Sequence, residues 1–125
     1  MKSVRNQIIM ETLQQLNKVE LIGICGNIRI QEFSGKKVAR LTLATNYCYK
    51  SSQCEVIVET CWHSVSAWES SKVKDLESIS KGTKLHIVGR LKNQRYTSAY
   101  GTDHSNIEII ASSLEIIDEP LKLEE

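Results

Sequence analysis

Two tryptophans lie six residues apart in the stretch TCWHSVSAWE (60–69). Side chains of an extended strand alternate between two faces, so Trp62 and Trp68 share one face. The residues between them on that face are Ser64 and Ser66. A buried face rarely separates two large rings with hydroxyl groups, so we expect both rings to point away from the core. Exposed rings of this kind stack on unpaired nucleic-acid bases.

Positive charges and further aromatic rings accompany the tryptophans on this predicted face. Strand parity turns Arg40 outward on the preceding strand, and the loop after that strand carries Tyr49 and Lys50. A later hairpin adds the remaining members of the set, which are Lys92, Arg95, Tyr96 and Tyr100. Lysine and arginine neutralise phosphates while aromatic rings stack on bases, and a single-stranded nucleic acid offers both groups. We therefore predict that Arg40, Lys50, Lys92 and Arg95 contact phosphates.

No motif for catalysis or metal binding is recognisable in the chain. It has no GxSxG or HExxH motif and no phosphate-binding glycine loop. The four cysteines form no CxxC pair, and the three histidines do not bracket them at zinc-site spacing. We predict a protein that is not an enzyme, with no cofactor, no metal and free thiols. His63 falls on the side opposite to Trp62, where a packed or interface histidine is expected.

Length and composition predict one globular domain. The 125 residues are 41% hydrophobic and 25% charged, with a net charge of +1. No stretch approaches the roughly 20 apolar residues of a membrane span, and the N-terminus lacks the pattern of a secretory signal, so a cytoplasmic protein is expected. Residues 1–114 carry 15 Lys/Arg and 10 Asp/Glu, whereas residues 115–125 carry one Lys and five acids. This imbalance fits either a solvated acidic end or a basic body that favours a polyanion.

Hydrophobic periodicity predicts five strands and two helices. Residues 3–16 are expected to form an amphipathic helix. Residues 69–82 are expected to form a second helix, because Val73, Leu76 and Ile79 follow helical spacing. The turn and loops between strands are predicted at 34–35, 48–55 and 98–105. The strands are predicted at 19–33, 37–47, 56–68, 83–96 and 106–117.

Three strands, a helix and two strands are the order of the oligonucleotide/oligosaccharide-binding (OB) barrel, an all-β, five-stranded Greek-key barrel. Gly23 and Gly26 suit such a barrel, because its first strand must bend to serve both sheets. We predict a helical extension over 1–16, the OB domain over 17–117 and a short acidic tail over 118–125.

The sequence also resembles bacterial single-stranded DNA-binding proteins, which are homotetrameric OB-fold proteins of replication, recombination and repair. The resemblance covers roughly 17–117. It is carried by NKVELIG (17–23), VARLTLATN (38–46), TCWHSV (60–65), KGTKLHIVGRL (81–91) and the hairpin from Arg95 to Ile109.

The resemblance implies roles for individual residues. The family stacks bases on four aromatics, and the matching positions here hold Tyr49, Trp62, Trp68 and Tyr96. The histidine of the family's WH pair contributes to subunit contacts, which implies that role for His63. A homotetramer that binds single-stranded DNA cooperatively is therefore expected. The sequence given ends in PLKLEE, without the family's usual glycine-rich linker and its acidic tip with a terminal phenylalanine. Replication or repair proteins are possible partners by resemblance, but that usual recruiting tip is absent.

Two alternative functions remain open from the sequence. One is a protein-interaction adaptor of the primosome type that has lost DNA binding, which the modest net charge permits. The other is RNA binding on the same aromatic and basic platform. Both alternatives use an OB barrel, so the fold does not separate them from single-stranded DNA binding.

Overall fold

Residues 4–117 are described by the computed structural model. The acidic tail predicted over 118–125 therefore lies outside the described residues. A helix and five strands make up the regular structure, together with one short 3₁₀ helix at Leu76–Ser78. Their bounds are α1 Val4–Leu13, β1 Val19–Phe33, β2 Lys36–Lys50, β3 Val56–Trp68, β4 Lys84–Thr97 and β5 Asp103–Ile116.

The five strands close into a barrel in the order β1-β2-β3-β5-β4, which confirms the predicted OB architecture. All neighbouring pairs are antiparallel except β3 and β5, which are parallel over Val65–Ala67 and Ile109–Ala111. The barrel closes because β1 pairs with two partners. Its first half pairs with β4 and its second half with β2, and Ile24 contributes to both ladders.

A bulge between Cys25 and Ile28 turns β1 from one partner to the other. The bend also requires a very close approach at Gly23, where a Cβ atom would lie 2.3 Å from the carbonyl oxygen of Ala44. Only glycine fits such a crossing without a shift of the backbone. The sequence-based expectation that glycines bend the first strand therefore agrees with the structure.

Inward-facing residues of all five strands fill the barrel. Leu43, Leu85 and Ile87 are fully buried, and Val65 and Ile109 pack in the same cluster. Each such side chain contributes roughly 1.5–3 kcal/mol through burial. Cys25 belongs to this core, and burial raises the pKa of its thiol. All four cysteines are free, and Cys48, Cys54 and Cys61 are exposed.

The segment between β3 and β4 differs from the predicted helix over 69–82. It forms only the three-residue 3₁₀ helix, although the stripe residues Val73, Leu76 and Ile79 are all buried in the core. Val73 instead forms bridges with Ser70 and with Leu114 of β5, so the first part of the segment cannot wind into a helix. The apolar spacing that predicts an α-helix here instead belongs to a loop that buries three apolar side chains in the core.

Asp75 adds a second reason for this difference. Its backbone is left-handed, with φ of 60°, which an α-helix does not allow. A hydrogen-bonded ion pair between Lys37 and Glu77 ties the loop to β2. Their hydrogen bond raises the pKa of Lys37 and lowers the pKa of Glu77. Both groups are exposed, so the pair serves mainly to orient the loop.

The N-terminal helix predicted over 3–16 exists but ends at Leu13. Ile9, Leu13 and Leu16, which were expected to form its apolar stripe, are all exposed, so within one chain the helix does not cover the core. The chain is fixed to the barrel after the helix, at Asn17. The side chain of Asn17 donates to the carbonyl oxygen of Leu91 at 2.9 Å and accepts from the amide of Leu91 at 3.0 Å.

Two predicted loops are shorter than expected because hairpin pairing continues into them. β2 extends to Lys50 and pairs with β3 as far as Val56, so the predicted loop 48–55 shrinks to residues 51–55. β5 begins at Asp103, inside the turn predicted over 98–105. Tyr49 and Lys50 therefore lie on a strand, and so do Lys92, Arg95 and Tyr96.

Candidate nucleic-acid interface

The outer side of β2 and β3 carries the two tryptophans. Trp62 is 60% exposed and Trp68 is 38% exposed, whereas Val65 and Ala67 between them are buried in the core. This contrast is the alternation predicted from the sequence. Along the strand the six-residue separation spans roughly 20 Å. The rings therefore stand at two ends of one outer surface.

Trp62 lies directly against the bend of β1. A Cβ atom on Gly26 would come within 2.5 Å of Cζ3 of the Trp62 ring and within 2.7 Å of the Thr42 hydroxyl. The missing side chain at Gly26 thus makes room for the indole. A shallow cavity of about 260 Å³ adjoins this ring and is lined also by Asn27 and Lys81.

Lys81 brings a cation to the cavity beside Trp62. Lys81 is not among the site residues predicted from the sequence, because Lys81-Gly82 is typical of a helix end. Its position beside Trp62 follows from backbone hydrogen bonds between Cys25 and residues 82–83, a tertiary contact that no local sequence pattern shows.

A groove of about 300 Å³ occupies the middle of the outer surface. Arg40 lies in it, paired across the strands with Arg29 on one side and Ser66 on the other. Ser66 is only 3% exposed although it faces outward, since it lies at the floor of this groove. The guanidinium of Arg40 donates through Nε to Gln31 at 3.1 Å, and its Nη1 lies 4.0 Å from a carboxylate oxygen of Glu108.

These two partners orient Arg40 along the groove. The ion pair with Glu108 partly neutralises the guanidinium, so any anion that entered the groove would compete with that carboxylate. Arg29 lies beside it and adds a second positive charge to the same groove.

Trp68 stands at the far end of β3 beside Phe33. Their ring centroids are 6.1 Å apart and the planes are tilted by 48°, within the range of favourable aromatic pairs. Phe33 is about half exposed and was not singled out from the sequence. Its place immediately before the turn at Ser34-Gly35 was the usable signal, because that turn returns the chain toward Val38, the cross-strand partner of Trp68.

Tyr49 lies on the other side of the β2–β3 ribbon. The register between these strands is regular from Val38 to Lys50, so alternation sets Tyr49 opposite to Trp62. Tyr49 shares its side with Tyr47, at a ring distance of 6.0 Å, and its hydroxyl donates to Glu59 at 3.2 Å. Lys50, in contrast, falls on the same side as Trp62. The structure therefore does not bring all four predicted stacking residues onto one flat face.

The β4–β5 hairpin carries the remaining predicted residues. Lys92 and Tyr96 lie on the outer side of β4, across from Glu108 and His104 of β5. Arg95 pairs with Ser105 and lies on the opposite side by alternation. Both Arg95 and Tyr96 border a cavity of about 480 Å³ at the end of the hairpin.

His63 is half-buried on the side of β3 opposite to Trp62, as its parity predicted. Its Nε2 is hydrogen-bonded to the hydroxyl of Thr45 at 2.9 Å. This bond holds the ring against β2. Across residues 4–117, no three His, Cys, Asp or Glu side chains are grouped so as to hold a metal ion. In the same part of the chain, no helix has the length and apolar character needed to cross a membrane.

The chain has the closed five-stranded barrel of the OB-fold class, whose members bind oligonucleotides or oligosaccharides on one outer face. Exposed tryptophans, flanking cations and shallow grooves lie on that face here. The sequence comparison narrows this class. Residues 16–117 match the model of the single-strand binding protein family, and the chain belongs to that family.

Individual relatives agree with this assignment. The chain is similar to single-stranded DNA-binding protein 1 of Chlorobaculum tepidum, with 34% identity over 82% of this chain and 65% of the relative. It is also similar to the single-stranded DNA-binding protein of Xanthomonas campestris pv. campestris, with 26% identity over 82% of this chain and 60% of that protein. The chain thus spans about 60–65% of the length of these curated relatives.

Solved structures show the same barrel. The Plasmodium falciparum SSB in complex with ssDNA superposes with a TM-score of 0.73 and 28% identity, covering 84% of this chain and 97% of that one. A deletion mutant of the single-stranded DNA binding protein from Thermus aquaticus superposes with a TM-score of 0.66 and 19% identity, covering 82% of this chain and 51% of the other. At this level of identity, the second structure shows similarity of fold alone.

Substitution of Gly26 tests the packing of Trp62. In a Trp68→Phe background, Trp62 is the only tryptophan. There, Gly26→Ala is expected to push the indole off β1, because the added methyl group overlaps the ring. Quenching of Trp62 fluorescence by acrylamide should increase, and the free energy of unfolding should fall by about 1 kcal/mol. Ser64→Ala, on the same face, is the control and should change neither quantity. Unchanged quenching in Gly26→Ala would contradict the described contact.

Proposed function

We propose that this protein binds single-stranded DNA with little sequence preference, by stacking bases on aromatic rings and by contacting phosphates with lysine and arginine. The observation that carries the proposal is the outer face itself. Trp62 beside Lys81 and Trp68 beside Phe33 bracket a groove that contains Arg40 and Arg29. Rings and cations interleave there as a flexible single strand requires, and no motif for a chemical step accompanies them.

Membership of the single-strand binding protein family supports the same function, as does the likeness to a structure determined with ssDNA. Because the chain spans only part of its curated relatives, protection of DNA during replication, recombination and repair remains part of the proposal. So do the roles of Tyr49 and Tyr96 as further stacking positions, and of Lys50, Lys92 and Arg95 as phosphate contacts.

The path of the strand follows from these positions. We propose that DNA crosses the groove between Trp62 and Trp68 and extends to the β4–β5 hairpin through Lys92. To reach Tyr49 the strand must pass around the edge of the β2–β3 ribbon, since that ring faces the other side. Such a path wraps the strand around the barrel, and Lys50, on the Trp62 side of the ribbon, neutralises phosphate at the crossing.

Competition between nucleic acids tests the function. A labelled oligo-dT is bound to the protein, and unlabelled oligo-dT, oligo-U and duplex DNA are used as competitors at two salt concentrations. We expect oligo-dT to compete best and duplex DNA least, because only unpaired bases expose their faces for stacking. The affinity should fall as salt increases, with a slope of about −0.7 per phosphate contact. Preferential competition by oligo-U would favour RNA binding, and no binding even at low salt would favour the adaptor.

The two tryptophans are expected to act through stacking and not through the core. Trp62→Ala and Trp68→Ala should each weaken oligo-dT binding by about 1–3 kcal/mol, which is the contribution of one base–ring stack. Both rings are partly exposed, so the melting temperature should change little. Trp62→Phe and Trp68→Phe are matched controls that keep an aromatic face, and they should retain most of the affinity. Unfolding of either alanine variant would instead assign that ring to the core.

We also propose that the protein assembles as a homotetramer, with His63 near a subunit contact. The proposal rests on the family, and exposed apolar side chains on β1 and β3 support it, among them Ile22 and Val58. Light scattering should give the mass of four chains, and His63→Ala should shift the distribution to smaller species. His86→Ala is the control histidine and should leave the mass unchanged. A monomeric wild-type protein would contradict the assembly.

A further inference from the structure

The β4–β5 hairpin contains an aromatic stack that was not predicted from the sequence. Tyr96 and His104 are direct cross-strand partners, with ring centroids 5.1 Å apart and planes inclined by only 19°. The imidazole therefore lies nearly parallel to one face of the phenol ring. Both side chains are exposed, so solvent and not the core surrounds this pair.

The surroundings of His104 leave its ring available to a ligand. The hairpin cavity that it lines also contains Arg95, Thr97, Asp103 and Ser105. Asp103 is the acidic group beside it, and its carboxylate accepts a hydrogen bond from the hydroxyl of Thr97 at 3.0 Å. Further along the outer side of the hairpin lie Lys92 and Glu108, which are paired with each other in the strand register.

We propose that His104 is a positioning residue for the single strand. It covers one face of Tyr96, so that a base stacks only on the other face, and when protonated it supplies a cation to the phosphate beside that base. This inference rests on the proposed function, since it concerns the same DNA-binding surface. Through His104, the hairpin would make part of the affinity for single-stranded DNA depend on pH. The lysines and arginines do not provide such a dependence.

The direction of the pH dependence follows from linkage. An imidazole gains its proton as the pH falls from about 8 to about 5, a range in which Lys, Arg and the DNA phosphates keep their charges. A phosphate beside His104 favours the protonated ring, so binding takes up a proton and the affinity increases as the pH falls. Arg95 and Asp103 line the same cavity as His104, and both are present in the free protein as well as in the complex. The added phosphate makes the difference between the two states.

The test compares oligo-dT binding at about pH 8 and about pH 6, the interval over which histidine changes charge. Thymine offers no group that titrates in this interval, so the response belongs to the protein. Wild-type affinity should rise about two- to fivefold on acidification, the size expected for one exposed ion pair. The slope of log affinity against log salt should also steepen by about 0.7, corresponding to one more phosphate contact on a single strand.

His104→Phe is the decisive variant, because it keeps a ring against Tyr96 but cannot take up a proton. Its affinity should lose most of the increase on acidification and all of the change in salt slope. His86→Gln is the control. His86 bonds to Glu20 at 2.6 Å on another part of the barrel, and its substitution should leave the increase intact.

The outcomes separate this inference from the function on which it rests. A pH response in His104→Phe equal to that of the wild type would overturn the inference and leave single-strand binding intact. Failure of the unmodified protein to bind oligo-dT at either pH would overturn the proposed function, and the inference with it. Loss of the response in His86→Gln would assign the pH dependence to His86 and would also overturn the role of His104.

Discussion

The first strand, β1, pairs with two neighbours at once, and this double pairing governs both the bend of the barrel and the surface beside it. The first half of β1 forms hydrogen bonds with β4 and the second half with β2, and Ile24 lies where the two ladders meet. This requirement sets the bend and the bulge at Cys25–Ile28. It also fixes where the outer surface begins, because the ring of Trp62 rests in the space left by Gly26. Closure of the barrel and presentation of the first aromatic ring thus depend on the same few residues.

The four rings expected to stack on bases share one physical arrangement, although Tyr49 lies on the other side of the β2–β3 ribbon. Each of the four expected stacking rings lies against a neighbour that restrains it. Trp62 rests on the β1 backbone, Trp68 faces Phe33, Tyr96 faces His104, and Tyr49 lies beside Tyr47 with its hydroxyl bonded to Glu59. A ring restrained in this way loses less rotational freedom when a base stacks on it, which lowers the entropic cost of binding. Arg40 is held similarly, by Gln31 and Glu108.

The strand order and the outward face were predictable from sequence because burial imposes a regular alternation on them. Val65 and Ala67 are buried and Trp62 and Trp68 are not, which is the alternation predicted from the sequence. The hairpin ends were not predictable in this way. Tyr49 and His104 lie on strand segments outside the core, where hydrogen bonding fixes the register and both sides of the strand are exposed. Because the sequence of such a segment is polar, it predicts a loop even where the segment forms a strand.

The helix predicted between β3 and β4 was wrong for a different reason. The spacing of Val73, Leu76 and Ile79 is compatible with a helix and equally with a loop that has three anchors. A bridge to Leu114 and the left-handed backbone of Asp75 decide between them. Both belong to the tertiary fold, so local periodicity could not reveal them. The contacts between rings were hidden for the same reason, since each joins residues whose proximity depends on strand register.

The proposed function requires that bases of a single strand stack on the exposed rings of the outer face. Titration of Trp68→Phe with oligo-dT, followed by the fluorescence of Trp62 alone, tests it most directly, because a stacked base quenches the indole on which it lies. We expect quenching that saturates at a defined ratio of nucleotides to protein and is reversed by salt. Binding detected by an independent probe, with the emission of Trp62 unchanged throughout, would contradict it.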